Sequence, residues 1–152
     1  MSKVYSIYRS QTVNASLQDV WNFFSAPANL EKITPKSMAF DVLNKDERPM
    51  YAGQIIEYKV TPLFGIKLYW MTEITHVQPL QFFIDEQRFG PFSFWHHQHH
   101  FKQTGNGVEM TDILHYKIPL WFIGDIANAI MVKKKIKAIF DFREQKVNEL
   151  FK

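Results

Sequence analysis

The chain has 152 residues, enough for one domain with a single core, because a chain of this length buries roughly two-thirds of its unfolded surface on folding. Its composition is 46% hydrophobic, 22% charged and 16% aromatic, as in a globular protein with many rings available for a core or an apolar pocket. It contains no cysteine, which excludes disulfides, thiolate metal ligands and a cysteine nucleophile, and its net charge of +3 does not indicate nucleic-acid binding.

The sequence shows neither a targeting segment nor a membrane span. The opening stretch MSKVYSIYRSQTV lacks the regions of a signal peptide, and no apolar run approaches ~18 residues. Four lysines, Lys133, Lys134, Lys135 and Lys137, lie around most of the circumference of a predicted helix, which favours a solvated surface over a basic patch. We expect a cytoplasmic protein without stable membrane insertion.

A strand and two short helices open the predicted fold. Residues 4–13 have the alternation of a strand, although the pattern does not decide which face is buried. Ser16 and Asp19 have the spacing of a capping box, which predicts a helix that ends near Ser25. Pro27 is placed to begin a second helix over residues 29–33, and Pro35 ends it.

Six further strands follow, separated by turns that contain proline, glycine or asparagine. Their predicted ranges are 38–43, 54–60, 66–77, 82–89, 93–101 and 108–118. In the strand 66–77 both faces carry large side chains, so its register stays open.

A helix over residues 120–150, about 45 Å long, ends the chain. It carries two stripes of mostly apolar residues that are rotated about a quarter turn from each other, which predicts a bend or break near residues 132–135. The first stripe contains Phe122, Ile126, Ala129 and Ile130, and the second contains Val132, Ile136, Ile139, Arg143, Val147 and Leu150. We therefore predict an α+β fold in which one domain, residues 1–152, packs an antiparallel sheet against this helix.

The strand SFWHHQHHF concentrates polar rings and aromatic surface. If Gln103 opposes Val108 across the following hairpin, His99 opposes Asp112, and Trp95 opposes Tyr116. If Phe89 opposes Phe92 across the preceding turn, Glu86 opposes Trp95 and also faces inward. With one tryptophan from the neighbouring strand, the candidate ligand-binding residues are Trp70, Glu86, Trp95, His97, His99, Asp112 and Tyr116.

Three roles are open for this inner cluster. It can be a polar layer in which the carboxylates satisfy the histidines, or it can orient a mostly apolar ligand. It can also be catalytic, with His99 as acid or base oriented by Asp112, or hold a metal through His97, His99 and Asp112. We predict no cofactor and no metal, and elemental analysis tests the metal alternative.

Four segments carry a family resemblance: ASLQDVWNFFSAPANLEKITP, FFIDEQRFGPFSFWHHQHHF, DILHYKIP and IFDFREQKVNEL. In them the chain resembles the Bet v 1-like superfamily of START, polyketide cyclase and SRPBCC proteins, and within it a bacterial SRPBCC branch. The resemblance implies a helix-grip fold: a seven-stranded antiparallel sheet around a long C-terminal helix, two short helices after the first strand, and a cavity between. It carries over Trp95, His97, His99, Asp112 and Tyr116 as a candidate pocket floor.

The family's activities range from lipid and hormone binding to aromatase, cyclase and dehydratase chemistry. We expect this chain to bind a small hydrophobic or amphipathic molecule in a cavity of at least ~300 Å³ between sheet and helix. The alternatives are a cofactor-independent enzyme of the cyclase or dehydratase kind that uses His99 and Asp112, and a protein-interaction domain with a vestigial cavity.

Overall fold

The computed structural model describes residues 3–62, 65–119 and 126–152. Seven strands form one antiparallel sheet in the order β1-β7-β6-β5-β4-β3-β2, so strands adjacent in sequence pair from β2 to β7 and β1 closes on β7. A long C-terminal helix follows the sheet, and short helices lie after β1. The predicted α+β helix-grip fold is confirmed.

The bounds of the elements are close to those predicted. The strands are β1 Tyr5–Val13, β2 Asp41–Val42, β3 Gln54–Val60, β4 Leu68–Gln78, β5 Phe82–Phe89, β6 Phe94–Thr104 and β7 Gly107–Lys117. The helices are α1 Leu17–Phe24, two short 3-10 helices at Pro27–Ile33 and Lys36–Met38, and α2 Ile126–Leu150. Within the described residues, no helix is both long and apolar enough to cross a membrane.

The cap at the start of α1 is the one that the sequence predicts. The Ser16 hydroxyl accepts a hydrogen bond from the backbone N–H of Asp19 at 3.1 Å, which satisfies one of the free donors of the first turn. Val20 and Trp21 are buried, and Trp21 packs edge-on against Phe83 and Phe101 of the sheet. This contact fixes α1 at one end of the sheet.

The strand predicted at residues 38–43 is much shorter than expected. Lys36–Met38 form a 3-10 turn, and Ala39 has a left-handed φ of 41°, so the chain enters an extended conformation only at Asp41. Pro35 thus ends one short helix and precedes another. The propensity of residues 38–40 for a strand is overridden by this local turn.

The predicted bend in the C-terminal helix is wrong, because α2 is a continuous helix from Ile126 to Leu150. Its buried residues, Val132, Ile136, Phe140 and Val147, form one face. Ile130 is 50% exposed, so its place in the first apolar stripe does not bring it into the core. The predicted start of the helix, residues 120–125, lies outside the described residues.

The register of β4, which the sequence leaves open, is set by its pairing with β3. Tyr58 pairs with Trp70 and Ile56 with Thr72, so Trp70 shares the inner face with Tyr58. In the pairing with β5, the register shifts between Ile74 and His76, so the alternation of inward and outward side chains does not continue unchanged past Ile74. Such a bulge curves the sheet, and the concave face is the one that looks toward α2.

The β6–β7 hairpin has the predicted register, from Gln103 opposite Val108 to Trp95 opposite Tyr116. The β5–β6 register differs by one residue: Asp85 is opposite His97, and Glu86 is opposite His96. A one-residue slip reverses the face of every side chain on a strand. The predicted inward position of Glu86 is therefore wrong, and Asp85 takes it.

The loop between β5 and β6 explains the slip. The Gln87 side-chain amide donates to the carbonyl of Phe92 at 2.6 Å and accepts from the N–H of Phe92 at 3.2 Å. Phe89 pairs with Met71 on the other neighbouring strand. A side chain thus takes the hydrogen bonds that a tight Phe89–Phe92 turn would use, and the loop is longer than the turn that the sequence suggests.

Candidate functional site: a cavity with a histidine–aspartate wall

A partly open cavity of about 180 Å³ lies between the concave face of the sheet, the short helices and α2. It is smaller than the ~300 Å³ expected from the sequence. Most of its lining is apolar or aromatic. The polar side chains among the lining residues that are central to the site are Tyr58, Thr72, Asp85, His97, His99 and Arg143.

An open depression of about 520 Å³ adjoins the cavity. Pro62 and Lys135 line both spaces, near the end of β3 and in the first half of α2. Lys134 also lines the depression. The depression that adjoins the cavity is therefore lined by two lysines.

Four buried or nearly buried side chains of the sheet form a compact group that we call the His–Asp cluster: Asp85, His97, His99 and Asp112. His97 and His99 are two positions apart on β6 and so share its inner face. Asp112 lies opposite His99 on β7, and Asp85 lies opposite His97 on β5. The two imidazoles therefore lie between two carboxylates.

The distances within the cluster show how the rings are shared. His97 Nε2 donates to Asp112 Oδ1 at 2.9 Å, and His99 Nε2 donates to Asp85 Oδ2 at 2.7 Å. His99 Nδ1 lies 3.1 Å from Asp112 Oδ1 without the alignment of a hydrogen bond. His97 Nδ1 lies 3.7 Å from Asp85 Oδ2. Each ring thus has one nitrogen near each carboxylate.

Aromatic neighbours hold the two imidazoles in place. The His99 ring stacks on Phe83 with centroids 4.2 Å apart, and His97 meets Phe140 of α2 edge-on at 5.7 Å. The two imidazole centroids are 3.8 Å apart. This packing leaves the rings little freedom, which is what a binding or catalytic group needs.

The cluster separates the pKa values of its members. Burial alone would raise the pKa of Asp112 and of Asp85, but contacts with His97 and His99 outweigh it, so that the pKa of Asp112 lies well below its usual range and the pKa of Asp85 is lowered as well. Burial and the neighbouring His99 lower the pKa of His97. Burial opposes the charged form of His99 as well, yet its contacts with the two carboxylates raise the pKa of His99. His99 is therefore the histidine that takes up a proton first.

Arg143 brings a cation from α2 to the cavity. Its guanidinium lies over the Phe140 ring at 5.4 Å, and its Nε is buried without a hydrogen-bond acceptor among the described residues. Its charge contributes to the lowered pKa of Asp85. The sequence analysis counted Arg143 in an apolar helical stripe, and a charged residue at such a position was the signal that could have identified it.

The other predicted site residues have different positions. Trp70 and Trp95 line the cavity and pack edge-on at 5.1 Å, and the indole Nε1 of Trp70 is buried without an acceptor among the described residues. Tyr116 is buried against Tyr5, with centroids 5.4 Å apart, and is not among the lining residues. Asp112 lies behind the histidines and is likewise not among them.

Glu86 lies on the outer face of the sheet. Its carboxylate accepts from His96 Nδ1 at 2.6 Å and lies 3.1 Å from Arg88 Nη1. The inward position predicted for Glu86 is occupied by Asp85, which the sequence analysis missed. The two acidic residues are adjacent in sequence, so only the strand register distinguishes them.

Three members of the cluster could hold a metal ion. One ligand atom each from Asp85, His97 and His99 lies within 4.8 Å of the other two. The metal alternative raised by the sequence used Asp112 with the two histidines, but the carboxylate that lies with them on the cavity side is Asp85. Asp112 contacts the opposite nitrogen of each ring.

One family model covers most of the chain. Residues 13–139 match the family model described as polyketide cyclase / dehydrase and lipid transport. No curated protein sequence matches the chain.

Solved structures share the fold at low sequence identity. Protein CV1439 from Chromobacterium violaceum is similar with a TM-score of 0.73 and 14% identity, over 97% of each chain. A START superfamily protein from Mycobacterium smegmatis has a TM-score of 0.72 and 12% identity, over 96% of each chain. The di-domain ARO/CYC protein StfQ of the steffimycin biosynthetic pathway has a TM-score of 0.72 and 11% identity, over 97% of this chain and 51% of that one.

Proposed function

The chain belongs to the polyketide cyclase / dehydrase and lipid transport family, and we propose that it binds a small amphipathic molecule in the cavity between the sheet and α2. The observation that carries the proposal is the combination of a mostly apolar cavity with an arginine at its wall, Arg143, whose buried Nε has no hydrogen-bond acceptor among the described residues. Apolar walls supply affinity, and a few polar groups at one side supply orientation.

The volume limits the size of the ligand. A cavity of about 150 Å³ in an apolar core can accept benzene, and this cavity has about 180 Å³. The ligand should therefore have the size of about one aromatic ring or a short chain, with a small polar group. Rings pack well here because Trp70, Phe83 and Trp95 line the cavity.

Arg143 determines the chemistry of the polar end. A buried guanidinium nitrogen without an acceptor is costly, and a ligand oxygen that accepts its hydrogen removes that cost. Lys134 and Lys135 at the adjoining depression favour a negatively charged group over a neutral one. We therefore favour a carboxylate or phenolate on an apolar ring or chain.

The test uses two ligands of similar shape, benzoate and toluene, with binding followed by calorimetry and by the fluorescence of the tryptophans that line the cavity. We expect wild type to bind both, and Arg143→Met to weaken benzoate at least tenfold while toluene changes less than threefold. Arg88→Met, on the outer face, is the control and should leave both affinities unchanged. Absence of binding of either ligand, or an equal effect of the two substitutions, would contradict the proposal.

A second function is favoured by the cluster itself. His97 Nε2 is held by Asp112, while His97 Nδ1 has no hydrogen-bond partner among the described residues and belongs to a residue that lines the cavity. This is the arrangement of a general base oriented by a carboxylate. It points to His97 rather than to His99, whose Nε2 is engaged by Asp85.

Proton abstraction next to a carbonyl tests this second function without knowledge of the substrate. Acetophenone in deuterated buffer should exchange its methyl protons faster with wild type than without protein, as followed by NMR. His97→Gln should abolish the acceleration while the far-UV circular dichroism is unchanged. The control is His115→Gln, which should retain the acceleration because His115 lies opposite His96 on the outer face. An exchange rate equal to that of buffer would leave ligand binding as the function.

A further inference from the structure

We propose that Asp85, His97 and His99 bind one divalent transition-metal ion at the cavity wall, with Asp112 holding both imidazoles in the ligating orientation. This inference goes beyond the proposed binding of an organic ligand and does not depend on it. It rests on the positions of the ring nitrogens relative to Asp85 and Asp112, and on the burial of the three ligand residues.

Each histidine has one nitrogen near Asp112 and the other near Asp85. The nitrogens on the Asp85 side are His97 Nδ1, at 3.7 Å from Asp85 Oδ2, and His99 Nε2, at 2.7 Å. One ligand atom from each of Asp85, His97 and His99 lies within 4.8 Å of the other two. Bond lengths of about 2.0–2.2 Å around a common ion put ligand atoms roughly 3.0–3.5 Å apart, so side-chain adjustments of less than about an ångström complete the set.

Asp112 supplies the outer support that histidine ligands need. Its Oδ1 lies 2.9 Å from His97 Nε2 and 3.1 Å from His99 Nδ1, so one carboxylate oxygen can accept a hydrogen from both rings. When it does, the remaining nitrogen of each ring carries a lone pair, and both lone pairs lie on the side of Asp85. A carboxylate in this role fixes the tautomer and the orientation of a ligating imidazole.

His99 Nδ1 is the second observation that supports the site. It is buried, and at 3.1 Å from Asp112 it lacks the alignment of a hydrogen bond. Its Nε2 is instead drawn to Asp85 at 2.7 Å. With a metal ion at Nε2, the proton of the ring would be on Nδ1, which lies 3.1 Å from Asp112 Oδ1.

The site is open toward the cavity. Asp85, His97 and His99 line the cavity, whereas Asp112 is not among the lining residues. Three protein ligands with a free side are the pattern of metal sites that also bind a small molecule or water. The ligands are imidazole and carboxylate, which suit Zn²⁺, Co²⁺ or Fe²⁺ better than softer ions.

The charges of the site favour an acidic molecule on the free side. Two carboxylates neutralise a divalent ion, and the nearby Arg143, which also lines the cavity, leaves an excess of one positive charge. An anionic group can balance it. This agrees with the acidic ligand proposed above, but metal binding is measurable without that ligand.

The competing explanation is a proton in place of the metal, with His99 as an imidazolium between two carboxylates. Tag-free, full-length protein treated with a chelator is titrated with Co²⁺, and the visible absorption of the ion is recorded. We expect one equivalent to bind with the intense bands of four- or five-coordinate Co²⁺. Bands that are absent, or that do not saturate near one equivalent, would support the proton and overturn the proposal.

Variants assign the ligands. Asp85→Asn should weaken Co²⁺ binding at least 100-fold, Asp112→Asn should weaken it about 10- to 100-fold, and Glu86→Gln, one residue from Asp85, should change it less than twofold. Retention of the Co²⁺ bands in Asp85→Asn would contradict the site.

A measurement on wild type avoids any effect of a substitution on folding. Long-range proton–nitrogen NMR spectra of the Zn²⁺-loaded protein should show ligation through Nδ1 of His97 and Nε2 of His99. Ligation through other histidines would overturn the assignment. Benzoate binding to the chelator-treated protein is measured separately, so that failure of the metal site and failure of the proposed function are distinguished.

Discussion

Asp85 lies directly opposite His97 across the β5–β6 ladder, and this pairing decides which carboxylate faces the cavity. Because side chains alternate along a strand, the next residue, Glu86, is turned to the outer face. Asp85 Oδ2 is thus placed 2.7 Å from His99 Nε2, in a buried group. The two neighbouring acids have the same charge and opposite environments.

The first prediction concerns the stability that each acid contributes. Asp85→Ala should lower the free energy of unfolding by about 3–5 kcal/mol, because it leaves a buried histidine pair with one carboxylate instead of two. Glu86→Ala should lower it by less than about 1 kcal/mol, because its partners His96 and Arg88 are partly exposed. Urea unfolding at neutral pH in the presence of a chelator measures both. Equal losses would contradict the pairing of Asp85 with His97.

The sequence predicts the fold well because its signals are local. A capping box, alternating strands and a glycine-rich hairpin loop each depend on residues close together in the chain. The β6–β7 register follows from such a loop and from the Lys102–Glu109 pair, which has opposite charges on the outer face. These signals, with the family resemblance, were enough to bring His97, His99 and Asp112 together.

The rest of the site depends on contacts that no local pattern encodes. The β5–β6 register is set by the Gln87 side chain bonding to the backbone of Phe92, and a pattern search cannot anticipate a side chain that replaces a backbone pair. The role of Arg143 depends on which way α2 faces across the cavity. The cavity volume depends on how the large rings pack, which the number of aromatic residues does not determine.

The second prediction concerns Gly107, where β7 begins beside the end of β1. Its φ is +120°, and a Cβ there would lie 2.3 Å from the backbone oxygen of Val13. Gly107→Ala should therefore cost at least about 2 kcal/mol of stability. Gly105→Ala, in the same loop and with nothing within 4 Å of its Cβ, should stay within about 0.5 kcal/mol of wild type. Thermal and urea unfolding give both values, and similar values for the two would contradict the close approach.

The third prediction concerns the link between β1 and α2. Asp141 accepts a hydrogen bond from Arg9 of β1 and another from Lys137 at 2.7 Å, and these contacts lower the pKa of its carboxyl. A carboxyl whose folded pKa lies below its unfolded value of about 3.8 contributes stability above that pH and loses it as the pH falls through the folded pKa. Asp141→Asn should therefore reduce the melting temperature slightly at pH 7.

The same difference should shrink as the pH falls below about 4, and it should shrink in 1 M salt, since the pair is exposed and screened. Melting temperatures of the two proteins across pH and salt measure it. A difference that persists in acid would show that the effect of the substitution is not electrostatic.

The fourth prediction concerns the size of the ligand. A cavity of about 180 Å³ should favour one ring over two, so wild type should bind benzoate more tightly than 2-naphthoate. Ile139 lines the cavity from α2, and Ile139→Ala removes part of that wall. One methylene group in an apolar pocket changes selectivity by about ten- to 200-fold. The substitution should therefore shift the benzoate-to-naphthoate affinity ratio at least tenfold toward naphthoate.

A substitution of the same kind on the outer face serves as the control. Ile55 is 38% exposed and is not among the residues that line the cavity, so Ile55→Ala should leave the ratio unchanged. Competition calorimetry with the two carboxylates gives the ratio for each protein. If Ile139→Ala weakens both ligands equally, the wall formed by α2 contacts only the ring that the two ligands share, and the volume of the cavity does not limit the ligand. If the ratio moves as expected, the size of the ligand follows from the packing of α2 on the sheet.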